Sequence, residues 1–295
     1  MFILGGTASN GIDIHIARSL GADLGKVETT KFPDGEIKVR VPEINDNRIA
    51  IVQSTYYPQE KNLFELLLAA YALKEKNAQV TAVIPYLAYA RQNRSFYPGE
   101  ATSVNLVLDM LRCAGVSSLV TVNPHRSGPL MYFGGKIGIT NAEITLAGWV
   151  KEHLSSPLVL APDKGSLDMA KGASSVMKCD YTYIEKHRDT YGTVSIEKAH
   201  GGDFRGKDVV IFDDIISTGS TIEQATRYAY SEGAATVSAA GIHLVMAGGA
   251  VEKLKNAGVQ RIFGTNTIPC EKAEIVDVSE DIAESIRKLS REIGS

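Results

Sequence analysis

Val209-Val210-Ile211-Phe212-Asp213-Asp214-Ile215-Ile216-Ser217-Thr218-Gly219-Ser220-Thr221 is the stretch on which the fold turns. Four branched or aromatic apolar residues in succession, Val209 to Phe212, predict a strand buried on both faces, as in a parallel sheet. Two carboxylates follow, then a short Ser/Thr/Gly turn, then Ile222 to Ser231, which is expected to be helical. Such a strand, acidic pair, turn and helix start suit a phosphorylated sugar. Free backbone N–H groups of the turn and the positive end of the helix dipole favour a phosphate, and Ser217, Thr218, Ser220 and Thr221 add hydroxyl donors around Gly219. Asp213 and Asp214 can accept from vicinal ribose hydroxyls or hold them through Mg²⁺. A plainer reading uses the same residue types: the pair caps a helix and the turn merely connects.

The flanks repeat the strand, turn and helix plan. Met1 to Leu4 and the turn Gly5 to Asn10 lead into a predicted helix from Gly11 to Leu20, and later strands are expected at Ile49–Gln53, Val80–Ile84 and Leu119–Val122. Helices are expected at Asn62–Lys76, Ser103–Ala114 and Asn141–His153, the last with Trp149 on its apolar side. Between Glu28 and Arg40 the turn-forming Pro33-Asp34-Gly35 separates two alternating runs, which predicts a β-hairpin. After residue 146 the pattern recurs, with strands at Leu158–Ala161 and Tyr181–Glu185, a polar glycine-broken segment from Asp189 to Phe204 read as a loop, and a strand at Thr236–Ile242. Ser279 to Ile293 closes as a charged amphipathic helix. The expectation is an α/β chain of two doubly wound domains, residues 1–145 and 146–278, each a mainly parallel sheet flanked by helices, with helix 279–295 packing back on the first. The halves match in element order, as a duplicated unit would.

Composition bounds the function. At 295 residues, 44% hydrophobic and with a net charge of −3, the chain can build two cores and offers no dominant basic surface for nucleic acid or an anionic membrane. Cys113, Cys179 and Cys270 are far apart and form no CxxC, so buried free thiols in a reducing cytoplasm are expected. Neither G-x-x-x-x-G-K-[ST] nor G-x-G-x-x-G occurs, so a nucleotide must be held by side chains. The run Tyr86-Leu87-Ala88-Tyr89-Ala90-Arg91-Gln92-Asn93-Arg94 sets guanidiniums beside aromatics, a combination suited to a triphosphate and a base, although on this segment alone a solvated loop is the more ordinary reading. A lone histidine is more often structural than a ligand, but His125 follows a strand's carboxyl end, where α/β sheets place ligands.

Taken together, Phe32-Pro33-Asp34-Gly35-Glu36, Pro85-Tyr86 with Tyr89-Ala90-Arg91-Gln92, His125, Pro162-Asp163, Lys186-His187-Arg188 and Asp213 to Thr221 resemble the motif series of the ribose-phosphate pyrophosphokinases, in order and spacing, from end to end. The resemblance implies two phosphoribosyltransferase-like domains. It also implies transfer of the pyrophosphoryl group of ATP to the C1 hydroxyl of ribose 5-phosphate. On the family pattern Lys186 and Arg188 are catalytic and lie at the root of a closing loop. Asp213, Asp214, Ser217, Thr218, Gly219, Ser220 and Thr221, with Arg188, hold ribose 5-phosphate. Phe32, Asp34, Gly35 and Glu36 grip adenine from an adjoining subunit, which implies a homo-oligomer, at least a dimer, and Arg91, Gln92 and Arg94 hold ATP. His125 and Asp163 contact Mg²⁺.

Several positions depart from that pattern. Asn123-Pro124-His125-Arg126 stands where bacterial relatives usually have Asp-Leu-His-Ala, and Asn93 and Ser217 replace Asp. Ser166 and Met169 replace a Gly and an Arg, which leaves regulation by phosphate or ADP open and gives the chain the look of an archaeal-type branch. Two alternatives remain at this level: a phosphoribosyltransferase, which does not explain the first half, and a catalytically inactive regulatory subunit.

Overall fold

The computed structural model describes residues 1–95, 97–188 and 194–293, without the side chains of residues 186–188, 194–198, 292 and 293. It contains two compact units, Met1–Asn141 with Val278–Ser295, and Ala142–Asp277. The first unit runs β1 (Phe2–Gly5), α1 (Ile12–Leu20), β2 (Leu24–Lys26), β3 (Glu28–Lys31), β4 (Ile37–Arg40), β5 (Arg48–Val52), α2 (Gln59–Lys74), β6 (Gln79–Ile84), α3 (Ser103–Cys113), β7 (Val116–Val122) and β8 (Lys136–Thr140). The second runs α4 (Glu143–Lys151), β9 (Pro157–Ala161), α5 (Leu167–Met177), β10 (Tyr181–Arg188), β11 (Val194–Ala199), β12 (Asp208–Ile216), α6 (Ser220–Ser231), β13 (Thr236–Leu244), α7 (Ala250–Ala257), β14 (Arg261–Thr265) and β15 (Glu274–Val276). Helix α8 (Ser279–Ile293) returns to the first unit, where Thr140 Oγ1 donates to Ser285 Oγ at 2.8 Å and Arg287 donates to the Ser19 carbonyl at 2.7 Å.

Each unit is built on a parallel sheet whose inner strands read as continuous apolar runs because helices cover both faces. In the first unit the strand order is β2-β1-β5-β6-β7-β8, and β3 and β4 form a separate antiparallel hairpin. In the second it is β11-β10-β9-β12-β13-β14-β15, parallel except for β11 against β10. Val209, Val210, Ile211 and Phe212 are sealed from solvent between β9 and β13, and burial of each such side chain stabilises by about 1.5–3 kcal/mol. The chain winds one way from β9 to β10 and the other way from β12 to β13. That reversal leaves a crevice beyond the carboxyl ends of β9 and β12, the place where doubly wound sheets bind ligands. In the first unit the matching point lies beyond β1 and β5.

Several sequence expectations are corrected. The central strand does not stop at Phe212 but continues through Asp213 and Asp214 to Ile216, because β13 keeps pairing alongside it, Asp213 opposite Gly241 and Ile216 opposite Leu244. Part of the segment read as a polar loop forms β11, which pairs with β10 in a hairpin; the rest of the expected catalytic loop, residues 189–193, lies outside the described residues. Edge strands β2 and β8 were not legible, being three residues long or interrupted by Gly138. Trp149 is 44% exposed and packs at a tilt against His153, its ring centroid 5.2 Å away. The cysteines are free but not buried: Cys113 is exposed, and Cys179 and Cys270 are intermediate.

Candidate functional site

At the second unit's reversal point, β9 ends in Pro162-Asp163 and a 3-10 turn of Lys164–Ser166, while β12 presents Asp213 and Asp214. Asp163 caps the turn, accepting from the Gly165 N–H at 2.9 Å, and the turn aims Ser166 across the sheet. Ser166 Oγ donates to Asp213 Oδ1 at 2.6 Å, and the Asp214 N–H donates to the same oxygen at 3.0 Å. Burial, followed by the negative charge of Asp214 and with a smaller push from Asp163, raises the Asp213 carboxyl to about 7 against the opposing Ser166 hydrogen bond. Asp213 therefore holds its proton more tightly than an ordinary aspartate, and an arriving cation favours its ionised form.

Beyond β12 the chain turns through Ser217-Thr218-Gly219 into α6. Gly219 sits at φ 75°, a left-handed conformation that costs little only without a side chain, and a Cβ there would lie 3.3 Å from Leu254. The turn thus brings backbone close to α7 while the first N–H groups of α6, unpaired within the helix by geometry, face outward with Thr218, Ser220 and Thr221 among them. Lys253 on α7 donates to Ser220 Oγ at 2.9 Å. Sequence reasoning missed this ammonium because it is 33 residues away in a helix whose charges look like an ordinary solvated face. The arrangement offers dipole, hydroxyls and one cation to a phosphate, with carboxylates one step back along the strand for sugar hydroxyls.

Lys186 and Arg188 belong to the last turnless stretch of β10, where pairing with β11 shifts register between Glu185 and Lys186; their side chains lie outside the described residues. Just before them, Glu185 receives both Lys164 and His200, and these partners hold its carboxyl below the usual glutamate range. That cluster ties the root of the β10–β11 hairpin to the Asp163 turn.

The remaining candidates lie in the first unit. The tip of the β3–β4 hairpin is closed by Phe32 N–H to the Glu36 carbonyl at 2.8 Å, with Glu36 N–H donating to Asp34 Oδ1 at 3.1 Å. Gly35 takes φ 96°, and Phe32 is left 48% exposed at the tip. Arg91 and Arg94 are exposed on the loop after β6, whereas Gln92 is engaged at both ends: its Nε2 donates to Glu100 at 3.0 Å and its Oε1 accepts from Ser103 at 2.9 Å. His125 is half-buried in the loop after β7. Among the described residues no three His, Cys, Asp or Glu side chains gather as a cation cage. The concentration of negative charge that raises Asp213 still suits a hard, oxygen-preferring cation carried largely by phosphates, whereas an imidazole is a poor match for one.

Comparison with known proteins gives a consistent result. Residues 1–115 match the N-terminal domain of ribose phosphate pyrophosphokinase, and residues 139–280 match the phosphoribosyl transferase domain. The chain is 48% identical to the ribose-phosphate pyrophosphokinase of Saccharolobus solfataricus, over 97% of this chain and 100% of that one. It is 45% identical to the corresponding protein of Sulfurisphaera tokodaii with the same coverage. Among solved structures it resembles the phosphoribosylpyrophosphate synthetase from Mycobacterium smegmatis, with a TM-score of 0.84, 27% identity and 99% of each chain covered.

Proposed function

This chain belongs to the ribose-phosphate pyrophosphokinase family, and from that premise we propose how its residues divide the work of one reaction. The reaction transfers the pyrophosphoryl group of ATP to the C1 hydroxyl of ribose 5-phosphate, giving 5-phospho-α-D-ribose 1-diphosphate and AMP. The sugar oxygen bonds to the β-phosphorus, the bond from that phosphorus to the oxygen bridging the α-phosphate breaks, and the hydroxyl proton is lost. Such a transfer asks the protein for alignment and charge stabilisation more than for covalent chemistry.

The observation that carries the sugar site is the Ser166–Asp213 pair beside the glycine turn of α6. In this reading Asp213 and Asp214 accept the vicinal sugar hydroxyls, and Ser217, Thr218, Gly219, Ser220 and Thr221 hold the 5-phosphate. To these we add Lys253, whose ammonium already sits on Ser220. Lys186 and Arg188 supply positive charge to the transferring group, Arg188 also reaching the sugar phosphate. For ATP, Arg91 and Arg94 take phosphate charge, while Gln92 braces the arginine loop through Glu100 and Ser103. Phe32, Asp34, Gly35 and Glu36 present an aromatic face and hydrogen-bonding groups to adenine. An exposed phenylalanine on a projecting tip suits a site shared with a second copy, so the active form is a homo-oligomer, at least a dimer. Asp163 and His125 would contact Mg²⁺, the imidazole partly through water. When bound, the ion neutralises phosphate charge. Free thiols and ATP as co-substrate suit the cytoplasm.

The test is an incubation with Mg-ATP and ribose 5-phosphate. AMP that forms only when the sugar is present supports the reading. No AMP, with neither substrate consumed, points instead to a regulatory subunit without activity.

A further inference from the structure

The reversal point of the first unit, beyond β1 and β5, corresponds to the ribose phosphate site of the second but is filled by the chain's own carboxylate. Glu65, on α2, is 1% exposed there. Five donors surround it: the Thr7 N–H at 2.7 Å, Thr7 Oγ1 at 2.9 Å, Gln53 Nε2 at 3.0 Å, Lys61 Nζ at 2.7 Å and Thr29 Oγ1 at 2.9 Å. The glycine turn after β1 wraps this group closely, since a Cβ on Gly6 would stand 2.3 Å from Gln53 Oε1 and 3.1 Å from Glu65 Oε1. Burial alone raises a carboxyl, yet the hydrogen bonds from Lys61, Thr7 and Thr29 outweigh it and keep Glu65 below the usual glutamate range. A buried, ionised, fully bonded carboxylate is rigid, because each oxygen has its lone pairs committed.

One of the five donors differs in kind. Thr7 and Gln53 follow β1 and β5 and Lys61 lies on α2, but Thr29 belongs to β3, the first strand of the hairpin. Directly opposite Thr29 across the hairpin is Val39, which packs on the first unit's core. The root is therefore held by the Thr29–Glu65 hydrogen bond together with apolar packing of Val27, Val39 and Val41, while residues 30–36 are exposed. We propose that Glu65 is a positioning residue for the reaction: through Thr29 it clasps the hairpin to the sheet and so sets where Phe32, Asp34 and Glu36 stand for adenine. This rests on the reading of the hairpin tip as the adenine contact. It also accounts for a unit with the sugar-phosphate fold that keeps no sugar-phosphate site, its anion position being permanently taken from within.

The experiment compares wild type with Thr29→Val, Thr29→Ser and Glu65→Gln in the full chain. Steady-state kinetics are run against each substrate, and amide hydrogen exchange is followed over residues 28–40 without ligands. Loss of one hydrogen bond corresponds to about fivefold, so Thr29→Val raises the KM for ATP by about that factor, leaves the KM for ribose 5-phosphate unchanged and speeds exchange in the hairpin. Thr29→Ser, which keeps the hydroxyl, falls closer to wild type on both readouts, and Glu65→Gln moves them further than Thr29→Val. A general loss of stability instead moves both KM values or only the active fraction, and that outcome overturns the positioning role. Unchanged hairpin exchange in Thr29→Val and Glu65→Gln overturns the clasp itself. Asp34→Ala separates the premise from the inference. If it leaves the KM for ATP unaltered, the adenine reading of the tip fails and the positioning role with it; if it raises that KM while Thr29→Val does not, only the role of Glu65 is refuted.

Discussion

Asp213→Asn tests the electrostatics of the sugar site in the absence of any substrate. In the folded protein burial and the neighbouring carboxylates raise Asp213 to about 7, well above the ordinary aspartate value. A carboxyl raised in this way binds its proton more tightly in the folded state than in the unfolded one. Its contribution to stability is therefore complete below the ordinary aspartate range and is lost as pH climbs through the folded value. Between pH 5 and pH 7 that is about two pKa units, or roughly 3 kcal/mol at most, and nothing more is lost above. The Asp213 side chain is not sealed from water, so we expect about half of that, ~1.5 kcal/mol. Asparagine keeps the shape and can still accept from Ser166, but it does not titrate. The assay is urea unfolding with a chelator present, at pH 5 and pH 8, followed by a probe in the second unit. Wild type should lose ~1.5 kcal/mol more than Asp213→Asn on going from pH 5 to pH 8. Equal losses in the two proteins refute the argument. The same carboxyl should release protons when Mg²⁺ and ribose 5-phosphate bind at pH 7, measurable as a dependence of calorimetric heat on the buffer.

If Lys186 acts in the role proposed for it, Lys186→Ala should lower kcat by about 10²–10³-fold with ribose 5-phosphate affinity nearly intact; unchanged turnover removes it from catalysis. Gly219→Ala forces a side chain into a left-handed position 3.3 Å from Leu254 and should destabilise the second unit by ~1–2 kcal/mol while raising the KM for ribose 5-phosphate, measured by thermal unfolding and kinetics. Lys253→Ala should raise the KM for ribose 5-phosphate about tenfold and leave that for ATP alone, the size of one charge-assisted hydrogen bond to phosphate; an equal rise for both substrates argues that Lys253 only supports α7.

How much of this was legible in the sequence depends on how local the cause was. Val209 to Thr221 announced strand, turn and helix because the apolar run, the glycine and the hydroxyls act within one segment. It misjudged where the strand ends, because only β13 alongside keeps Asp213 and Asp214 in the sheet. The hairpin tip was readable from Pro33-Asp34-Gly35 for the same local reason. Lys253 was not, since an ammonium becomes a site group only when α7 packs its stem against the turn of α6. Nor was the commitment of Gln92 to Glu100 and Ser103, which depends on how the loop after β6 folds onto α3. Trp149 misled because helical periodicity marks an apolar side but not whether another element covers it.

The two reversal points show how one fold serves two tasks. In the second unit burial and the charges of Asp214 and Asp163 push Asp213 up to about 7, so the site favours a hydroxyl donor or a cation. In the first unit a carboxylate at the matching place has five donors and is held below its ordinary range, so no such demand remains. A binding site must keep part of its electrostatics unsatisfied until the ligand arrives, and a scaffold must not. An open glycine turn beside the Ser166–Asp213 pair in one unit, and a turn already filled by Glu65 in the other, are why we place ribose 5-phosphate in one and a rigid support for the ATP hairpin in the other.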